Sequence, residues 1–198
     1  MGAYALGGLS SVPASSRLDL LADPTRTALT SGDFLDQVGV VEIDPAISDT
    51  AATQEEFGVQ PDTLANCVVI SGKREGAERF AACIVLATTR ADVNGVVRRL
   101  LDVRKASFLP MERAVELTGM EYGGITPIGL PADWAVLVDL RVTETDVVVI
   151  GSGVRRSKIL LPGAVLGLLP AAQVIEGLAV PSRSPGPSGV SGRHEIRR

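Results

Sequence analysis

The residues able to do chemistry are few, and their types exclude more mechanisms than they allow. The chain has one histidine, His194, two cysteines, Cys67 and Cys83, and three lysines, Lys73, Lys105 and Lys158. His194 lies in the run from Pro181 to Arg198, whose proline, glycine and serine content does not favour packing. No Ser-His-Asp or Cys-His arrangement is therefore expected in the folded body. Each cysteine sits inside an apolar run and reads as a buried, reduced thiol rather than a nucleophile. Two cysteines without a neighbouring ligand cluster argue against zinc, and neither metal nor cofactor is expected. Glu112 and Glu116, four residues apart on a short predicted helix, and the following Glu121, read as a solvated face rather than an acid–base pair. Carboxylates, lysines, hydroxyls and the backbone itself remain.

The backbone has the densest signal. From Thr118 to Pro131 the sequence is TGMEYGGITPIGLP, with four glycines and two prolines around the apolar Ile125, Ile128 and Leu130. Glycines permit positive φ and leave peptide N–H groups open, while Pro127 and Pro131 fix the path. Such a loop can offer main-chain donors to a developing oxyanion without a catalytic side chain. An irregular structural connection fits the same composition equally well.

Thr118-Gly119, followed by Gly123-Gly124-Ile125-Thr126-Pro127-Ile128-Gly129, closely resembles the TG…GGISPLG signature of YbaK-like proteins and of prolyl-tRNA synthetase editing domains. The spacing Gly123-x-x-x-Pro127 matches the loop with which that superfamily holds an aminoacyl ester. Residues 46–70 resemble its first helix and entering strand, and residues 147–163 its late strand, glycine turn and strand. The resemblance implies an α/β fold, one compact domain with a curved, mixed, mostly antiparallel sheet flanked by helices. It implies a hydrolase, an aminoacyl-tRNA deacylase serving translation fidelity, that cleaves the ester between an amino acid and the terminal ribose of mischarged tRNA. With no synthetase or anticodon-binding region alongside, such a domain is expected to act in trans. Its partners would be the 3' end of aminoacyl-tRNA and an aminoacyl-tRNA synthetase. Gly123, Gly124 and Gly129 would form the catalytic, polarising loop, and Thr126 and Pro127 would meet the substrate.

The chain departs from the family at three places. A frequent lysine ahead of the glycine loop falls at Gly95, beside Asn94, which can donate a hydrogen bond to substrate but brings no charge. A second frequent lysine falls at Asn66, and a commonly acidic position falls near Ser157. Two functions therefore stand: a divergent deacylase, favoured by the intact glycine loop, or a catalytically weak or inactive module that binds tRNA 3' ends or a synthetase, favoured by the lost lysines.

The run Val147 to Gly153 superficially suggests a dinucleotide fingerprint. Arg156 occupies the third glycine position, and an apolar strand follows instead of a helix, so the context fails. A tight turn with a solvated basic cluster is the default. Ser152, Arg155 and Lys158 would otherwise engage a phosphate near the tRNA end. Trp134 reads as a packing residue beside the glycine loop rather than a platform for adenine.

These segments need elements to position them. Residues 1–16 are small and polar and predict a disordered arm; the folded domain is expected over 17–180, and a disordered tail over 181–198. Helices are predicted from Ala46 to Phe57, ended by Gly58, and from Met111 to Leu117, ended by Gly119. Asp92 is placed to cap a helix containing Val96, Val97, Leu100 and Leu101. Cys67–Ser71 and Phe80–Ala87 predict a hairpin across a charged turn over 72–79. Further strands are expected near residues 104–108, 135–139, 147–150, 159–161 and 173–177, with a helix over 163–169. Strands and helices mix without regular βαβ alternation.

Composition sets the outer limits. With 198 residues, 45% of them hydrophobic, the chain suits one domain that needs no disulfides. A net charge of −4 argues against gripping DNA or long nucleic acid by bulk electrostatics, though not against holding a short end. No signal-like or membrane-spanning stretch is evident, so a cytoplasmic protein with no membrane partner is expected.

Overall fold

Residue alternation along the strands determines which of them are buried on both faces. The computed structural model describes residues 2–182. The strands are β1 (Ala5–Leu6), β2 (Leu9–Ser10), β3 (Val12–Pro13), β4 (Gly39–Glu42), β5 (Ala65–Arg74), β6 (Ala77–Leu86) and β7 (Thr89–Ala91). They continue with β8 (Ala106–Phe108), β9 (Ala135–Asp139), β10 (Val148–Gly151), β11 (Ser157–Leu161), β12 (Ala172–Ile175) and β13 (Ala179–Pro181). The helices are α1 (Asp23–Ser31), α2 (Thr50–Phe57), α3 (Arg98–Leu100), α4 (Met111–Thr118), α5 (Leu140–Thr143) and α6 (Gly163–Leu166).

On β6, Ala82, Ile84 and Leu86 enter one apolar cluster while Ala81, Cys83 and Val85 enter another on the opposite face. A strand apolar on both faces belongs at a sheet centre. β6 is accordingly the middle strand of the order β12-β9-β6-β5-β8, parallel to β9 and antiparallel to β5. A second, antiparallel sheet runs β10-β11-β4-β3. Val40, Val148, Ile150, Ile159 and Leu161 of this sheet meet Ala82, Ile84, Val136 and Val138 of the first in the main core. Leu29 of α1, Val142 of α5 and Val165 of α6 complete it. This is the mixed, mostly antiparallel α/β architecture expected from the sequence.

Three local expectations change. The arm predicted over residues 1–16 is built into the fold where it is described: β1 pairs with β2, β3 pairs with β4, and Leu9 and Ala14 are buried. Neighbours rather than intrinsic hydrophobicity hold this segment, since Ala14 N–H donates to the Val38 carbonyl at 2.9 Å and Leu9 packs with Val59 and Leu64. The charged turn predicted over 72–79 narrows to Glu75-Gly76, both at positive φ, because Lys73 and Glu78 pair across β5 and β6 as a further rung. The helix expected after Asp92 is a π-helical turn, Val93–Val97, running into the short α3. Asp92 does cap it, accepting from Gly95 N–H and Val96 N–H. Of the predicted tail, Pro181 closes β13 against Thr89; residues 183–198, His194 included, lie outside the described residues. Among the described residues, no helix is long and apolar enough to cross a membrane.

Candidate active site

Strand parity aims one lysine away from the main core. On β11, Ile159 and Leu161 point into that core, so Lys158 and Leu160 point to the other face. Lys158 stands opposite Val41 of β4 and Gly151 of β10 and is 8% exposed. On that face lies a cavity of about 460 Å³. β5 contributes Asn66, Cys67, Val68 and Val69 to its wall, and α2 contributes Thr50 and Thr53. Phe108 and Leu109, with Ala114 of α4, form an apolar side; Tyr122, Gly123 and Ile125 of the glycine-rich segment, Asp49 ahead of α2, and Val149 and Gly151 of β10 also line it.

The cavity has a polar end and an apolar end. At the polar end, Lys158 Nζ donates to the Ser48 carbonyl. Burial lowers the Lys158 pKa to about 8; Asp49 favours the charged form and Arg155 opposes it. Thr50 Oγ1 donates to Asn66 Oδ1 at 2.6 Å, which leaves both amide hydrogens of Asn66 for other acceptors. Cys67 is part of the wall and not a nucleophile: burial, with Cys83 nearby, pushes its thiol far above the usual range, and burial pushes Cys83 up to about 12.

The glycine-rich segment is pinned to the late glycine turn. Glu121 N–H donates to the Gly153 carbonyl at 2.8 Å, and Gly153 N–H donates to the Gly124 carbonyl at 2.7 Å. Glu121 Oε2 accepts from Arg155 N–H at 2.6 Å, while Arg155 Nη2 donates to the Pro45 carbonyl at 2.8 Å. Arg155 thus ties the glycine-rich segment to the residues that precede α2.

Of the residues singled out from sequence, the cavity brings together Gly123 and Lys158; Arg155 does not line it, although its Nη1 lies beside Gly123 and the Tyr122 carbonyl. Gly124 N–H is committed to the Glu121 carbonyl, and a Cβ there would meet the Val154 backbone at 2.6 Å. Gly124 therefore serves as a close-packing point between two loops rather than an open donor. Gly129 and Pro127 line a separate cavity of about 420 Å³ with Trp134. Trp134 itself stacks on Phe80, ring centroids 5.0 Å apart, in keeping with a packing role. Thr126 is fully buried and lines neither cavity. Ser152 is buried against Ser157, with 2.7 Å between hydroxyls. Asn94 is exposed on the π-helical turn, its carbonyl accepting from Arg98, and does not line the cavity. Sequence reasoning passed over Ser48, Thr50, Phe108 and Tyr122, for which no local pattern exists. Asn66 had a signal, as the place of a family lysine.

Residues 44–167 match the family model described as the aminoacyl-tRNA editing domain. The chain belongs to this family. Among solved structures, the editing domain is similar to a candidate trans-editing enzyme for prolyl-tRNA synthetase, with TM-score 0.66 and 22% identity over 78% of this chain and 94% of that one. A scaffold protein from computational epitope grafting matches with TM-score 0.66 and 21% identity, over 78% of this chain and 95% of that one. A hypothetical protein matches with TM-score 0.63 and 18% identity, over 71% and 90%. At these identities the structural matches speak for the fold. No match is found among curated proteins.

Proposed function

We propose that this editing domain is an aminoacyl-tRNA deacylase that acts in trans, hydrolysing the ester of mischarged tRNA in the cytoplasm. The observation that carries the reading is the two-ended cavity. Val69, Leu109, Ala114 and Ile125 give an apolar recess for an amino-acid side chain, and Asn66, Thr50 and Lys158 give a polar end for the ester. The ester is already activated, so a positioned water and a few fixed donors in a water-poor site suffice for turnover. Gly123 brings main chain to the cavity, while Gly124 and Gly129 hold the loop in shape. Phe108 and Tyr122, 64% and 56% exposed, line the mouth and offer stacking faces to the terminal adenosine of the tRNA.

Asn66, uncharged where the family often has lysine, favours a second reading: a module that binds tRNA 3' ends or a synthetase without turnover. Purified protein incubated with tRNAs carrying different amino acids separates the two. Release of any one amino acid above the uncatalysed rate supports the deacylase. A flat panel with retained binding of tRNA supports the module.

A further inference from the structure

We propose that Lys158 is the catalytic electrophile of the deacylation, its ammonium group donating to the ester carbonyl oxygen. The assignment rests on the deacylase reading and goes beyond it by naming the group that stabilises the transition state.

Three observations converge on it. First, among the described residues Lys158 is the only lysine or arginine lining the cavity, and its strand neighbours on the same face are Gly151 and the apolar Val41, Val149 and Leu160. An apolar residue would pack there at lower cost than a buried ammonium, so the charge needs a reason beyond folding. Second, the ammonium has three donors, and the protein engages one of them at the Ser48 carbonyl. Among the described residues no carboxylate lies within ion-pairing distance of it. Third, Ser48, 1% exposed, has a hydroxyl with no hydrogen-bond partner, 3.7 Å from where a Cβ on Gly123 would stand. An unspent hydroxyl and an under-used ammonium therefore flank the point where the glycine loop meets the cavity. That pairing suits an oxyanion better than a phosphate, which would demand more charge than one lysine supplies.

The step balances without a further reactant. A water oxygen bonds to the carbonyl carbon, and the bond from that carbon to the ribose oxygen breaks. One water proton ends on the ribose oxygen; the other leaves as the new carboxylic acid ionises. Lys158 holds the carbonyl oxygen as negative charge gathers there and is unchanged at the end.

The test uses the full chain as K158M and K158Q, with melting temperatures taken alongside and single-turnover rates measured on the aminoacyl-tRNA that wild type deacylates fastest. The expected result is a rate constant lower by about 100-fold or more, a half-saturating tRNA concentration within about threefold of wild type, and a melting temperature that does not fall. A rate within threefold of wild type in either folded variant overturns the assignment and leaves the deacylase reading standing. A preserved rate constant with a raised half-saturating concentration also overturns it, in favour of tRNA binding. Should wild type turn over no substrate, the deacylase reading fails by itself. The assignment of Lys158 as a catalytic group then falls with it.

Discussion

Lys158 Nζ donates to the Ser48 carbonyl, a neutral partner that solvates the ammonium without cancelling its charge. Burial lowers the folded pKa from 10.5 to about 8, with Asp49 pulling it up and Arg155 pushing it down. The unfolded chain therefore binds this proton more tightly than the folded one. The penalty is fully present below about pH 8 and is relieved as pH rises toward 10.5. Its size is about 3 kcal/mol. K158M should be more stable than wild type at pH 7, and the gap in urea midpoints should narrow between pH 8 and 10.5. A K158M protein less stable at pH 7 would mean that the lysine is needed for folding.

The same titration bears on turnover. If the charged form holds the carbonyl, the enzymatic rate, corrected for the alkaline background, falls as pH passes about 8. K158R, whose charge persists, should lose that descending limb even if its overall rate is lower. A pH–rate profile for the two proteins on one aminoacyl-tRNA makes the comparison.

Gly124 packs where no side chain fits. A Cβ would lie 2.6–2.9 Å from the Val154 backbone, which cannot step aside as a flexible side chain would. G124A should cost about 1–3 kcal/mol and disturb the loop that carries Gly123. Denaturant unfolding gives the first effect, and deacylation per folded molecule gives the second.

Asp139, 1% exposed, ends β9 and locks two distant segments. Arg141 Nε donates to it at 2.7 Å and Nη2 at 2.9 Å, and Ala179 N–H donates at 2.9 Å. Burial raises its pKa, but the hydrogen bonds from Arg141 and Ala179 outweigh that and hold it below the usual carboxylate value of 3.8. Its contribution is present above that value and is lost as pH falls through the lower folded pKa. D139A should cost about 3 kcal/mol, toward the lower end for a broken buried pair because Arg141 is half exposed. Thermal melts at pH 7 and pH 3 should show the wild-type advantage shrinking in acid.

Phe108 and Tyr122 line the cavity mouth from β8 and from the glycine-rich segment. Stacking on a base is worth about 1–3 kcal/mol, so F108A and Y122A should each raise the half-saturating tRNA concentration by about fivefold to a hundredfold. Stability should change little, since both rings are exposed. Fluorescence titration with tRNA reads the first and thermal melting the second.

Much of the frame could be read from residue order because its signals are local. Gly58 and Gly119 stop α2 and α4 in the left-handed conformation that glycine adopts readily, and Asp92 caps as its position suggested, whereas Asp49 caps α2 at Thr50, four residues after the predicted start at Ala46. The glycine-rich segment was also legible, as was its bearing on the family. The N-terminal strands were not. Two-residue pairings such as β1 with β2 carry no periodicity, and only the partners Val38, Val59 and Leu64 give Leu9 and Ala14 somewhere to be buried.

The sequence by itself determined the fold class and the family, because each depends on residue identity or short-range spacing. The tertiary structure decided which polar groups share a cavity. Arg155, Arg156 and Lys158 look like one basic surface cluster in the chain, yet Arg156 is exposed while Lys158 is enclosed. Strand parity turns Lys158 inward, and the pairing of β11 with β4 and β10 closes the protein around it. Asn66 joins it from the other sheet, 92 residues earlier in the chain. Contacts at that separation depend on how two sheets meet, which no local pattern encodes.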